Sequence, residues 1–164
     1  GETYTATETL KSVAYITKIE QNNEGGFTGK DIEIKTFFND LPIVDNYYMI
    51  KYETDFSIIP SYEVNEDKFF QGNEFFGFYT NEDLKTGNTL DITLYGISKR
   101  YFEYMSKIIN IAGSTNGSPF ATPPATVRGN IINETIPKNF ALGYFSLSET
   151  DFKDYTIEWL FLPF

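Results

Sequence analysis

Cysteine and histidine are both absent from the 164 residues, and that absence removes most familiar catalytic and metal chemistry. Without them there is no disulfide, thiolate nucleophile, Cys/His zinc site, haem–histidine ligation or histidine-based triad. A chain without thiols works equally in reducing and oxidising compartments, so the lack of cysteine does not locate it. Positive charge is also scarce. Lys and Arg number 13 against 23 Asp and Glu, giving a net charge of −10 and a pI near 4.4. Such a surface repels phosphate backbones, which argues against nucleic acid as a partner. No apolar run approaches the ~20 residues that span a bilayer, so no transmembrane segment is predicted. The chain opens Gly1-Glu2-Thr3-Tyr4, with neither a basic start nor an apolar core. Any targeting signal is expected to be removed or to lie upstream.

What the chain has in abundance is aromatic residues, 16 Phe and 12 Tyr. Disordered chains are poor in these, and one globular domain commonly takes ~100–200 residues. The dominant period is two. Ser12 to Glu20 sets Val13, Tyr15, Thr17 and Ile19 on one strand face, and the turn residues Asn22 to Gly26 are expected to close it. Asp31 to Phe38 points Ile32, Ile34 and Thr36 inward. Asn46 to Glu53 sets Tyr48, Ile50 and Tyr52 against Tyr47, Met49 and Lys51. Phe56 to Ile59 reads as a short strand ended by Pro60, and Gln71-Gly72-Asn73 reads as a hairpin turn between Lys68–Phe70 and Phe75–Tyr79. Thr89 to Gly96 is a clear strand after the turn Lys85 to Asn88.

One helix interrupts this pattern over residues 98–112. Ser98 supplies an N-cap, Tyr101, Met105, Ile108 and Ala112 share a face flanked by Phe102 and Ile109, and Gly113 is expected in the left-handed closing position. Lys99 and Arg100 in the first turn oppose the helix dipole. Pro119, Pro123 and Pro124 then make an extended stretch without ladder donors. Strands over Thr126 to Ile132, Ala141 to Ser148 and Lys153 to Trp159 follow. The prediction is a mainly β fold: an antiparallel β-sandwich or partial barrel with one α-helix, occupying residues 11–164 as a single β-rich domain.

The stretch Ser118-Pro119-Phe120-Ala121-Thr122-Pro123-Pro124-Ala125-Thr126-Val127-Arg128-Gly129-Asn130-Ile131, followed by Pro137 and Ala141-Leu142-Gly143-Tyr144-Phe145, carries a resemblance. It resembles the closing signature of a Bacteroidota lipoprotein family, the domain of unknown function 4249. The order of a strand at Leu90–Tyr95, Ile97-Ser98 and an aromatic helix at Tyr101, Phe102 and Tyr104 is similar too. The resemblance implies an outer-membrane lipoprotein, cell-surface or periplasmic, anchored through a lipidated N-terminal cysteine and preceded by an immunoglobulin-like domain. It also implies a TonB-dependent outer-membrane transporter as partner, with glycan or peptide as cargo. Neither the cysteine nor room for the first domain is present here. Residues 1–10 are therefore expected to be a residual strand and linker from that domain, and the chain is expected to be the C-terminal domain. The family supplies no catalytic motif, so no residue inherits a catalytic role.

Candidate sites are few. Acids cluster at Glu63-Val64-Asn65-Glu66-Asp67 and Asn81-Glu82-Asp83, where paired carboxylates serve a glycosidase, yet such clusters also simply solvate turns. Glu63, Asn65 and Asp67, or Asn81, Asp83 and Asn88, offer oxygen ligands for Ca²⁺, although no EF-hand spacing occurs. Tyr47, Tyr48, Phe69, Phe70, Phe75, Phe76 and Phe78 invite glycan stacking, against the commoner role of filling a core. In the doublet Phe75-Phe76 one ring has to point outward. In the proline segment Phe120 is the apolar anchor and Arg128 the charged one, suited to a carboxylate or phosphate; the alternative is that Phe120 plugs the sandwich end and Arg128 pairs with a local acid. The expectation is a non-enzymatic domain without metal or cofactor that binds a transporter. Its rival is a carbohydrate-binding accessory module using ring stacking and a loop Ca²⁺ site.

Overall fold

Most strands here are apolar at alternate positions, but one is apolar on both sides, and that strand fixes the layering. It is Tyr47–Thr54, in which Tyr47, Tyr48, Met49, Ile50 and Tyr52 are all buried. In a computed structural model, residues 1–26, 29–42, 45–114 and 126–159 are described. In chain order the strands are β1 (Tyr4–Thr5), β2 (Ile16–Gly25), β3 (Asp31–Asn39), β4 (Tyr47–Thr54), β5 (Ser57–Glu66), β6 (Glu74–Thr80) and β7 (Thr89–Gly96). The helix α1 (Lys99–Ser114) follows, then β8 (Ile132–Asn133) and β9 (Thr150–Thr156).

Two open antiparallel sheets, β2-β3-β6 and β5-β4-β7-β9, lie face to face as a sandwich and do not close into a barrel. Ile34 and Phe38 of β3 and Tyr79 of β6 meet Tyr48, Ile50, Tyr52, Leu90, Ile92 and Leu94 from the larger sheet in one apolar core. On the far side of the larger sheet, Tyr47 and Met49 form a second core with Ile97 and Met105. The layers are therefore sheet, sheet, helix, with β4 feeding both interfaces. Side chains lace the two open sides of the sandwich. On one side the amide of Gln21 in β2 donates to the Glu158 carbonyl at 2.8 Å and accepts its N–H at 2.9 Å. On the other, Glu63 of β5 reaches across to accept the Phe78 N–H of β6 at 3.1 Å. Gly77 makes room for this reach, because a Cβ there would sit 2.6 Å from the Glu63 carboxylate and 2.3 Å from Ile50 Cδ1.

Several local expectations are corrected. β2 begins at Ile16 and continues through Asn22 and Asn23 to Gly25 instead of turning there. The expected inward set Val13, Tyr15, Thr17 and Ile19 holds only in part: Val13 is buried and Ile19 packs on the core, but Ala14 and Ile16 are buried while Tyr15 is 73% exposed. A register shift between Ile16 and Lys18 is the reason: one extra residue inverts the alternation. β5 runs straight through Pro60, which is tolerated because β5 is an edge strand and a register shift precedes its tight pairing. Gln71–Asn73 is not a hairpin turn, because the chain before it forms a 3₁₀ turn, Asp67–Phe69, whose Asp67 carboxylate accepts the Asn46 N–H at 2.7 Å.

The helix forms where its pattern places it, with Ser98 Oγ accepting the Tyr101 N–H at 3.2 Å. Its buried stripe is rotated from the expected one. Met105 is buried with Tyr101, Phe102 and Tyr104 against it, while Ile108 and Ala112 face solvent. Gly113 is an ordinary helical residue, not a left-handed cap. Glu8 supplies the acid that the first turn lacks. It accepts the Ser98 hydroxyl at 3.0 Å and lies near Arg100, which offsets the adverse Lys99 and Arg100.

Two predictions follow from this packing. Met105→Asp removes a buried side chain and buries a charge, and should cost about 3 kcal/mol or more in urea denaturation, while exposed Lys107→Ala stays within about 0.5 kcal/mol. Equal small shifts would place the helix on another face. Burial pushes the Glu63 carboxyl above its ordinary range, against the pull of bonds from Asn65 and the Phe78 N–H. A carboxyl raised on folding holds its proton more tightly in the native state, so its contribution erodes as pH rises from about 4.3 through the folded value. Glu63→Gln should therefore gain in Tm relative to the wild type between pH 4 and pH 7.5, and a gap that narrows with pH would reverse this assignment.

Candidate partner-binding face

The most specific stretch of the sequence, Ser118 to Gly129, lies mostly outside the described residues; residues 126–148, which take in its end, are held with little regular strand. Strands were expected over Thr126–Ile132 and Ala141–Ser148; only β8 and two isolated parallel bridges, Arg128 with Gly143 and Lys11 with Ser148, are present. Side-chain amides replace the ladder. Buried Asn130 accepts the Phe145 N–H at 2.8 Å and donates to the carbonyls of Phe145 at 2.8 Å and Thr7 at 3.2 Å. Buried Asn133 accepts the N–H groups of Thr135 and Ile136 at 3.0 and 2.9 Å, and donates to Glu2 at 2.6 Å and the Asn139 carbonyl at 2.7 Å. An asparagine amide copies one peptide group, so each of these residues does locally what a paired strand would do. Gly129 allows the close approach, because a Cβ there would lie 1.8 Å from the Gly143 carbonyl oxygen.

The N-terminal segment completes this frame. β1 pairs antiparallel with β8, Tyr4 opposite Asn133. Tyr144 packs against Tyr101 and Tyr104 of the helix, with ring centroids 4.8 and 5.2 Å apart, and donates its hydroxyl to Glu8 at 2.5 Å. Burial, then this bond to the carboxylate, pushes the Tyr144 hydroxyl up to about 12. Burial acts to raise the Glu8 carboxyl as well, but bonds from Tyr144, the Thr9 N–H and Ser98 together hold it below its ordinary range.

The result is a rigid irregular surface whose apolar side chains point outward. Ile132, Ile136, Phe140, Leu142, Phe145 and Leu147 are each 36% to 69% exposed. Exposed large apolar residues are normal singly; here six fall within sixteen positions of the chain. Arg128 lies in the same region. Its guanidinium sits 3.7 Å from the centroid of the Phe140 ring, beside a cleft of about 270 Å³ that includes Ile131, Ile132 and Pro137. Arg128 thus packs its guanidinium on an aromatic ring. Phe120 lies outside the described residues. The outward set was missed in the sequence because a predicted strand over Ala141–Ser148 assigns alternate residues to a core. The available signal was the Gly and Asn at 129, 130, 133 and 143, residue types that break ladders and substitute for them.

The other sequence candidates separate. Phe75 turns inward, stacked on Phe70 at 3.9 Å and packed on Phe38, whereas Phe76 turns outward beside Phe37 with Lys35 Nζ 5.1 Å from its ring. Of the proposed sugar-stacking rings, Tyr47, Tyr48 and Phe70 are buried, and Phe76 and Phe78 are exposed. The side chain of Phe69 is outside the described set. Among the oxygens considered for Ca²⁺, that of Asn81 accepts the Asp83 N–H, and that of Asn88 accepts the Lys85 N–H while its amide donates to Asp55. Tyr48 donates to buried Asp40 at 2.6 Å, a pair that also takes the Gly72 N–H and is structural.

Removing one amide tests the frame. Asn130→Ala leaves the Phe145 N–H and two carbonyls without their partner and should cost roughly 2–4 kcal/mol, with faster limited proteolysis between residues 140 and 147. A loss under about 0.5 kcal/mol, or unchanged cleavage, would mean that the frame is held elsewhere.

Comparison with known proteins agrees with the family resemblance read from the sequence. No curated protein and no solved structure matches the chain. A family profile described as a domain of unknown function (DUF4249) matches residues 1–154, a span that takes in both β1 and the asparagine-pinned segment, and the chain belongs to that family.

Proposed function

We propose that this is a non-enzymatic binding domain of a surface lipoprotein, and that it docks through residues 128–147 onto a TonB-dependent outer-membrane transporter. The observation that carries the reading is the set of six outward apolar side chains held on a hydrogen-bonded frame. A frame that is already ordered loses little conformational freedom on association, so apolar contact is not spent on ordering the loop. Leu142 and Phe145 are the central anchors, and Arg128 over Phe140 forms a polar edge to the patch. The choice of occupant rests on the resemblance described for the closing signature. The lack of Cys and His supports a binding role over catalysis.

Affinity purification of the full-length lipoprotein from detergent-solubilised outer membranes tests this directly. The wild type should recover a TonB-dependent barrel in stoichiometric amount. Leu142→Glu combined with Phe145→Glu should lower that recovery at least tenfold while Tm moves by only a few degrees. Undiminished recovery by the folded double variant, or no barrel with the wild type, would overturn the proposal.

A further inference from the structure

The outer face of the larger sheet is only partly covered by α1. Cross-strand register sets Val64, Met49 and Tyr95 in one row, and Tyr62, Lys51, Thr93 and Phe152 in the next. The first row packs under the helix, with Met49 buried in the second core. The second row emerges beyond it, with Tyr62 and Phe152 exposed. Between the rows and the first helical turn lies a pocket of about 390 Å³, lined by Met49, Tyr62, Tyr95 and Tyr101. Lys51 and the stretch Ser146 to Ser148 complete its lining.

The lining chemistry is specific in two respects. Lys51 is its one charged residue, and its ammonium is neutralised by Glu53 at 2.7 Å. A carboxylate or phosphate ligand would have to displace Glu53 to obtain a counter-charge, whereas a neutral ligand leaves the pair intact. The remaining polar groups are five hydroxyls, on Tyr62, Tyr95, Tyr101, Ser146 and Ser148. Each hydroxyl both donates and accepts, and so does every hydroxyl of a sugar. Three aromatic rings beside them supply apolar surface for the C–H face of a pyranose. The volume falls in the range of small-ligand pockets, which combine apolar walls with a few convergent polar groups.

We propose that this tyrosine-walled pocket is a binding site for a neutral saccharide. Its lining excludes the docking anchors Leu142 and Phe145 but borders the docking face at Ser146 and Leu147, and it does not use the rings singled out in the sequence, Phe75 and Phe76. No Ca²⁺ is required, because the hydroxyls and the Lys51–Glu53 pair satisfy the ligand without a bridging cation.

The test is a glycan array spanning neutral hexose, N-acetylhexosamine and uronic-acid glycans, probed with the whole chain and followed by calorimetry on the strongest neutral glycan. Binding should be saturable, insensitive to EDTA, and weakened at least tenfold by Tyr62→Ala. Tyr95→Phe, which removes a single hydroxyl and keeps the ring, should weaken it severalfold at unchanged Tm. Leu142→Glu should leave it unaltered, so the outcome is independent of the docking proposal. An array on which no neutral glycan binds, a preference for uronic acids, or affinity that survives both tyrosine substitutions would overturn the inference.

Discussion

A strand with two apolar faces has to be covered twice, and in this domain the rest of the architecture answers that demand on β4. Tyr48, Ile50 and Tyr52 require the second sheet, while Tyr47 and Met49 require the helix. Fully burying an aromatic or aliphatic side chain contributes about 1.5–3 kcal/mol before entropy is counted, so leaving either face open would forfeit several kcal/mol, a large share of a domain's margin of about 5–15 kcal/mol. The helix is short compared with the surface that β4 and its neighbours present. Its cover ends at the Met49 row, and the uncovered Tyr62–Lys51 row becomes the base of a pocket.

Elements whose stability depends on simple alternation were legible in the sequence. β3 and β4 follow the expected inward residues, β7 forms over the span its alternation marks, and Ser98 caps α1 as its position suggests. That the doublet Phe75-Phe76 sends one ring outward was legible from strand alternation, but which ring it would be was not. The failures have physical causes that lie outside any one segment. A bulge in β2 is a property of two paired strands, so it cannot be read from one of them. Pro60 breaks a central strand but not an edge, and which strand lies at the edge depends on sheet order. The acid at the helix N-terminus, Glu8, comes from ninety positions away in the chain.

The candidate face was the least legible part for a related reason. Asn130 and Asn133 do the work of strands through side chains, so residues 126–148 have the composition of strands and the geometry of a loop. With no ladder there is no strict alternation, and apolar residues at 132, 136, 140, 142, 145 and 147 all turn outward. Gly129 is fixed by the Gly143 carbonyl, and each buried asparagine by three or more partners, so these positions tolerate little change.

The pairing of the two ends of the fold also dictates the order in which the molecule can form. The Thr3 N–H donates to the Thr135 hydroxyl across 132 residues, β1 joins β8, and Lys11 bridges Ser148. Contacts this distant cost loop-closure entropy before they return anything, and folds built on them form slowly. On a nascent chain emerging from its N-terminus, β4, β5 and β7 can pair early, because their partners are close in sequence. Glu8 and β1 wait for Tyr144 and β8, and β7 keeps an open edge until β9 arrives. The apolar face and the sheet edge therefore become ordered in the last step of folding, and a chain arrested before residue 130 would present unpaired strands to its neighbours.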